Sequence, residues 1–115
     1  MTQALSASDE TALTEAAAAL KRGGLVAFPT DTVYGIGAKY DDRRAVRRLY
    51  AVKARPLEKA IPILVGALSD MEGLTASFPA AAQALTEAFW PGALTLVLPR
   101  SAKVPAVVAP GVTVA

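Results

Sequence analysis

Small polar residues follow an apolar run in the stretch FPTDTVYGIG, which begins at Phe28. Pro29 cannot donate a backbone hydrogen bond, so we expect it to end the strand before it. The next three residues supply two hydroxyls and a carboxylate: Thr30, Asp31 and Thr32. Polar groups at the end of a strand are typical of ligand sites in α/β proteins, and an ordinary turn held by side chain–backbone bonds is the alternative.

A cationic stretch, KARPLEK, holds the second set of candidates: Lys53, Arg55 and Lys59. A residue that precedes proline avoids the helical region, so we expect extended backbone at Arg55. In an extended segment Lys53 and Arg55 would point the same way, because side chains two apart share a face. Two cations on one face would suit a polyphosphate or a carboxylate, and a solvated basic loop is the alternative.

A third cluster consists of four arginines close together in the chain: Arg43, Arg44, Arg47 and Arg48. On a helix the last three of these would share a face, because residues three and four apart are neighbours. Such a face could contact a phosphate backbone. A solvated helix surface, partly neutralised by Asp41 and Asp42, is the alternative.

The composition excludes several kinds of chemistry. The 115 residues include no cysteine and no histidine, so a thiolate nucleophile and an imidazole base are both ruled out. A chain with 53% hydrophobic and 19% charged residues can form a folded core, and a net charge of +2 does not by itself indicate nucleic acid. No apolar run is long enough for a membrane span and no secretory signal is recognisable, so we expect a cytoplasmic protein.

Periodicity and end signals predict alternating helices and strands, which indicates an α/β fold. The helices are predicted at 9–22, 42–52 and 79–89, and the strands at 25–28, 61–65, 94–98 and 112–115. The candidate N-caps are Ser6 or Ser8, Asp41 or Asp42, and Ser77. The inward faces are predicted to hold Leu13, Ala16, Ala17 and Leu20 in the first helix, and Val46, Leu49 and Tyr50 in the second. We interpret Trp90, the only tryptophan, as a core anchor before the Pro91–Gly92 turn.

Three stretches in this order resemble the YrdC/Sua5 family: GGLVAFPTDTVYGIGA, LYAVKARPLEKAIPILV and FWPGALTLVL. The resemblance covers the N-terminal part of the family's domain. It implies an α/β fold, a YrdC-like twisted mixed sheet with flanking helices around a concave basic cavity. It also implies threonylcarbamoyl-AMP synthase activity, which joins L-threonine, bicarbonate and ATP into L-threonylcarbamoyladenylate and pyrophosphate. The product serves the N6-threonylcarbamoyladenosine modification of tRNA.

The resemblance also implies roles for individual residues. Thr32 matches a threonine-contacting hydroxyl, and Lys53 and Arg55 match residues that we expect to act in catalysis. The expected ATP contacts are Arg55, Lys59 and Thr113, and the expected pocket-lining residues are Thr30, Asp31 and Tyr34. We expect the Thr30–Thr32 and Lys53–Arg55 segments to line one cavity, because threonine and ATP must meet within reacting distance.

This sequence departs from the family pattern at several points. Lys59 replaces an ATP-contacting asparagine, and Leu64 stands where some members carry a threonine-contacting histidine. The V-R-x-P and S-x-N segments do not occur in these 115 residues. We therefore expect a single YrdC-like domain over 1–115 that is truncated at its C-terminus. We also expect this chain alone to have little or no synthase activity.

The resemblance sets expectations for ligands and partners as well. ATP acts as a substrate and carries Mg²⁺, and no metal site of the protein's own is expected. The expected macromolecular partners are double-stranded RNA or tRNA and other tRNA-modification proteins, and no membrane is expected.

One alternative is a non-catalytic module of the same fold that binds double-stranded RNA or tRNA. Another is the carbamoyl-adenylate domain of hydrogenase-maturation carbamoyltransferases, which occurs in much longer chains.

Overall fold

The structure is a computed structural model that describes residues 2–30, 32–57 and 59–108, together with the backbone of 112–114. Within these ranges the chain forms three α-helices: α1 (Glu10–Lys21), α2 (Arg43–Lys53) and α3 (Ala80–Phe89). It also forms a 3-10 turn at Leu68–Met71 and four strands: β1 (Val26–Phe28), β2 (Gly35–Gly37), β3 (Val97–Pro99) and β4 (Val112–Val114). The predicted α/β class is confirmed. No described helix is both long enough and apolar enough to cross a membrane.

The described strands form two antiparallel pairs. In the first, β1 pairs with β2 and Phe28 lies opposite Gly35. In the second, β3 pairs with β4 and Leu98 lies opposite Thr113. The strand predicted at 112–115 is therefore present as β4.

Two predicted strands differ from the structure. The strand predicted at 61–65 is wrong: its Ile61 N–H donates to the Val108 carbonyl at 3.0 Å, but the segment joins no described ladder. Its β-branched residues favour extended backbone, but a strand also needs a neighbour along its whole length. The strand predicted at 94–98 begins later, at Val97. The chain before it turns, with the Leu94 N–H bonded to the Gly92 carbonyl at 2.9 Å.

The chain divides into two compact units, residues 1–54 and 55–115. The assignment of 1–115 as one truncated domain stays a prediction.

Helix α2 gives the first unit most of its core. Its N-cap is Asp42, whose carboxylate accepts the Ala45 N–H at 3.0 Å. Its inward face confirms the predicted pattern, because Val46, Leu49 and Tyr50 are all buried. Amphipathic spacing and a capping aspartate are both local signals, so this helix could be read from sequence.

Helix α1 starts and faces differently from the prediction. Its N-cap is Asp9, whose carboxylate accepts the Thr11 N–H at 2.9 Å, and not Ser6 or Ser8. Ala12 is buried, whereas Leu13 is 62% exposed and Ala17 is also exposed. Alanines occupy several sides of this helix, so the apolar stripe is broad and its periodicity does not determine which side faces inward.

The end of α1 is joined to the start of α2. The N–H groups of Gly23 and Gly24 bond to carbonyls of the last helical turn, and Gly23 has a φ of 85°, as in a Schellman cap. The Gly23 carbonyl accepts a hydrogen bond from Arg48 Nη1 at 3.1 Å. A Cβ at Gly23 would lie 2.9 Å from Asp42 Oδ2. The backbone conformation at this position therefore favours glycine, and any Cβ here would also displace the capping Asp42 carboxylate.

The second unit has an apolar core of its own. Its buried apolar residues come from α3, β3 and the loops: Ile63, Met71, Leu74, Ala82, Leu96, Leu98, Val104 and Val108. The predicted Ser77 cap is wrong, because the N-cap is Pro79 and no side chain bonds there. Ser101 joins two loops, since its hydroxyl donates to the Gly73 carbonyl and its N–H donates to the Leu74 carbonyl.

Candidate functional site

The loop between β1 and β2 contains the predicted threonine-contacting hydroxyl. The Thr30 hydroxyl donates to the Val33 carbonyl and accepts the Thr32 N–H at 3.2 Å. It also lies 3.5 Å from the Thr32 hydroxyl. The structure therefore brings Thr30 and Thr32 together in a turn that Thr30 organises. Asp31, the third predicted residue of this group, lies outside the described residues.

The two glycines after this loop make room for an aromatic ring. A Cβ at Gly35 would lie 3.2 Å from the Phe28 ring, and one at Gly37 would lie 3.1 Å from it. Neither glycine is among the positive-φ residues of the described chain. The Phe28 ring therefore lies close to both glycines of β2, and a side chain at either position would press against it.

The outer part of the loop presents side chains to solvent. Val33 is 74% exposed and Tyr34 is 80% exposed, and Thr32 is exposed as well. These positions can contact a ligand without any rearrangement of the first unit. Tyr34 thus has the exposure that the predicted pocket-lining role requires, although the role itself stays a prediction.

The extended backbone predicted for the segment from Lys53 to Arg55 is wrong at its start. Lys53 is the last residue of α2, and Ala54 has left-handed backbone with φ 51° and ψ 39°. The Ala54 N–H bonds back to α2 carbonyls, as helix C-caps do. The backbone is therefore not extended at Lys53 and Ala54, and a shared direction of the Lys53 and Arg55 side chains stays a prediction.

Arg55 joins the ends of its own loop in the second unit. Its Nη2 donates to the Ala60 carbonyl at 2.8 Å, and its Nε lies 3.4 Å from the Lys59 carbonyl. The Lys59 N–H also bonds to the Pro56 carbonyl at 3.1 Å. These contacts bring two predicted ATP-contacting residues together, Arg55 through its side chain and Lys59 through its backbone. They use two of the five N–H donors of the guanidinium.

Thr113, the third predicted ATP contact, lies in β4 opposite Leu98. Its side chain is outside the described part of the chain. Lys53 belongs to the first unit and is exposed at the end of α2. That Lys53 and Arg55 act beside the Thr30 loop in one cavity stays a prediction.

An apolar cleft in the second unit was not predicted. It has a volume of about 380 Å³ and lies between residues 63–68, one side of α3 and the Trp90–Gly92 turn. Leu64, which stands where some family members carry a histidine, lines it and is 76% exposed. Trp90 also lines it and donates from Nε1 to the Leu94 carbonyl at 2.9 Å. Trp90 is thus only partly buried, and it fixes the turn predicted at Pro91–Gly92.

The four arginines of α2 lie on its solvent side. All of them are exposed, opposite the buried Val46 and Leu49. The neighbouring carboxylates have other partners: Asp42 caps the helix, and Asp41 pairs with Lys39 at 3.0 Å. The hydrogen bond that Lys39 donates to Asp41, together with the negative charge of Asp41, raises the pKa of Lys39. The arginine surface is therefore available to an outside anion, with Arg48 also bonded to the Gly23 carbonyl.

Sequence comparisons place these features among known proteins. A family model named for Sua5, YciO and YrdC, and described as telomere recombination, matches residues 18–115. Threonylcarbamoyl-AMP synthase of Pyrococcus abyssi is 45% identical over 96 residues, and that of Bacillus subtilis is 42% identical over 99 residues. The matches cover 84% and 86% of this chain but 28% of each relative.

Comparisons with solved structures find proteins of the same family. The crystal structure of P. abyssi Sua5 complexed with L-threonine is similar with a TM-score of 0.88 at 40% identity, over 92% of this chain and 32% of that one. Escherichia coli YciO has a TM-score of 0.78 at 21% identity, over 92% and 52% of the two chains. The second likeness concerns the fold alone. This chain spans about a third of the P. abyssi protein.

Proposed function

The chain belongs to the Sua5, YciO and YrdC family, and we propose that it provides the threonine-binding loop and ATP-contacting residues of a threonylcarbamoyl-AMP synthase. The observation that carries this proposal is the loop in which Thr30 orders Thr32, in a chain 40% identical to a Sua5 whose crystal structure contains L-threonine. The substrates are L-threonine, bicarbonate and ATP, with Mg²⁺ entering as part of the ATP substrate. The product is passed on to tRNA modification.

The proposed reaction needs orientation and charge stabilisation more than a titrating base, which fits a chain without histidine. The threonine nitrogen forms a C–N bond with the bicarbonate carbon, and water leaves to give a carbamate. A carbamate oxygen then attacks the α-phosphorus, and the bond to the leaving pyrophosphate breaks. Thr32 contacts threonine, whereas Lys53 and Arg55 offset the negative charge that grows on pyrophosphate.

A chimera tests this proposal directly. The segment of P. abyssi Sua5 that this chain matches is replaced by the matching segment of this chain, and threonine-dependent pyrophosphate release is measured. We expect activity in the chimera. We expect Thr32→Val, which removes one hydroxyl and keeps the side-chain shape, to raise the KM for L-threonine about tenfold and that for ATP less than twofold.

A matched control uses a threonine far from the loop. Thr14 is exposed on α1, so in a chimera whose exchanged segment includes α1, Thr14→Val should leave both KM values unchanged. A folded chimera that releases pyrophosphate at the same rate with and without L-threonine would contradict the proposed function. Equal losses for L-threonine and ATP in Thr32→Val would contradict the role of Thr32.

A second candidate function is a non-catalytic module that binds double-stranded RNA or tRNA, and the arginine surface of α2 favours it. Arg43 and Arg44 lie in the first helical turn, where the helix dipole disfavours cations. That placement contributes nothing favourable to the helix, but it suits contacts with phosphates. Arginines also dominate this surface without an aromatic residue among them, unlike the centres of most protein–protein interfaces.

The salt dependence of RNA binding tests this candidate. Replacing Arg44 and Arg47 by glutamine should weaken binding of a duplex RNA to the 115-residue chain and reduce the slope of log K against log salt by about one per lost phosphate contact. The control is Arg22→Gln together with Lys21→Gln at the exposed end of α1. An unchanged slope in the α2 variant would exclude this surface, and nucleotide turnover by the chimera would favour the synthase over a binding module.

A further inference from the structure

The Thr30 side chain makes more contacts than a pocket-lining residue needs. Its hydroxyl meets three groups of the same loop: the Val33 carbonyl, the Thr32 N–H and the Thr32 hydroxyl. Its methyl group lies 3.4 Å from the position that a Cβ on Gly35 would take, beside the Phe28 ring. A β-branched side chain has few χ1 choices, so the place of the methyl group beside Gly35 also determines where the hydroxyl points.

The number of protons on these groups determines the direction of the hydrogen bonds. A threonine hydroxyl has one proton to donate and two lone pairs to accept with. The Val33 carbonyl can only accept, so the Thr30 proton points to Val33. Towards Thr32, therefore, Thr30 can act only as an acceptor, both for the backbone N–H and for the hydroxyl.

The same reasoning determines the polarity of the Thr32 hydroxyl. If the two hydroxyls bond across their 3.5 Å separation, Thr32 must be the donor. Its own lone pairs are then left to accept from a ligand, and Thr32 is exposed at the surface of its unit. A group on the ligand that donates a hydrogen bond, such as the ammonium or hydroxyl of an amino acid, is the partner that this arrangement selects.

We propose that Thr30 is the positioning residue of the threonine-binding loop, and that it presents Thr32 to the substrate as a hydrogen-bond acceptor. This inference rests on the proposed function for the identity of the ligand, but not for the arrangement of the loop. Thr30 itself touches no substrate. It acts by holding the Thr32 backbone and by orienting the proton of the Thr32 hydroxyl.

Two substitutions separate the two parts of the side chain. Thr30→Val keeps the methyl group beside Gly35 and removes the hydroxyl, whereas Thr30→Ser keeps the hydroxyl and removes the methyl group. In the 115-residue chain without ligand, amide hydrogen exchange at Thr32 is followed by NMR. We expect exchange about two- to tenfold faster in Thr30→Val, and close to wild type in Thr30→Ser, as the loss of one hydrogen bond implies. Unchanged exchange at the amides of Leu49 and Tyr50 shows that the core remains folded.

The second measurement uses the chimera. Thr30→Val should raise the KM for L-threonine about tenfold, with kcat and the KM for ATP changed less than twofold, and Thr30→Ser should recover most of the loss. If Thr30→Val does not fold, Thr30→Ala provides the same comparison.

Unchanged Thr32 exchange in the variant without the hydroxyl would overturn the positioning role, whatever the activity. Faster exchange with an unchanged KM for L-threonine would overturn the link to the substrate. A chimera without threonine-dependent activity would contradict the proposed function, while the exchange result still decides the role of Thr30.

Discussion

Replacing Arg55 by alanine in the chimera should cause the largest loss of synthase function among single substitutions in the site. We expect the KM for ATP to rise between about tenfold and a hundredfold, because a charge-assisted hydrogen bond contributes roughly 1.5–3 kcal/mol. The KM for L-threonine should change much less. The measurement is the rate of pyrophosphate release as a function of each substrate.

The contacts of Arg55 make a second variant informative. The guanidinium reaches the Lys59 and Ala60 carbonyls at once, so alanine removes loop contacts as well as a charge. Arg55→Lys keeps the charge, but its compact ammonium cannot reproduce the planar, forked geometry. We therefore expect Arg55→Lys to recover only part of the ATP affinity. Full recovery would show that charge alone matters and that the loop contacts contribute little.

The control for Arg55 is an exposed arginine outside the proposed site. Arg22 is exposed at the end of α1, and Arg22→Ala should leave both KM values within twofold of the wild type. If Arg55→Ala weakened the use of ATP and L-threonine equally, the residue would have to be reassigned from nucleotide contact to general support of the fold.

Replacing Leu49 by alanine should have the largest effect on stability. Leu49 is 3% exposed on the inward face of α2, and a buried leucine truncated to alanine costs about 2–5 kcal/mol. Domains of this size have free energies of unfolding of roughly 5–15 kcal/mol, so this one change would remove a large part of the total. Chemical denaturation of the 115-residue chain, followed by circular dichroism, measures it.

Leu13 supplies a control with the same chemistry. It is 62% exposed on α1, so Leu13→Ala should change the free energy of unfolding by no more than about 0.5 kcal/mol. Helix propensity barely distinguishes the two sites, since leucine and alanine are both good helix formers. A similar loss of unfolding free energy at Leu13 and Leu49 would contradict the structure of α1. It would mean that Leu13 faces inward, as its periodicity predicted, and that Ala12 does not.

Local signals were enough to predict the parts of the fold that depend on neighbours in sequence. Asp42 caps α2, and Val46, Leu49 and Tyr50 face inward, as predicted. Pro29 follows the last residue of β1 for the reason inferred from its missing N–H. Each of these features follows from side-chain spacing or from backbone chemistry within one turn. None of them depends on knowing a partner that is distant in sequence.

The sequence also indicated which residues could take part in chemistry, but not how they are arranged. The PTDT stretch was predicted as a polar loop after a strand, and the structure assigns Thr30 the contacts that order Thr32. Residue types say which groups can donate or accept. Only a folded loop determines which pairs come within bonding distance, because several turns are possible for the same residues.

Tertiary structure decided two kinds of feature. One kind depends on residues that are distant in sequence, and the other on backbone conformations that are unfavourable by themselves. The segment 61–65 has strand-forming residues, but a strand exists only where another strand lies beside it. Ala54 adopts left-handed backbone, which costs a residue other than glycine about 1–2 kcal/mol. The C-cap bonds of α2 offset that cost, and they end the helix after Lys53. The sequence by itself therefore determined the family, the capped helix α2 and the polar loop. The left-handed end of α2 and the pairing of the strands were decided by tertiary structure, because the cost of a strained backbone and the gain from strand pairing are set against other interactions only in the folded chain.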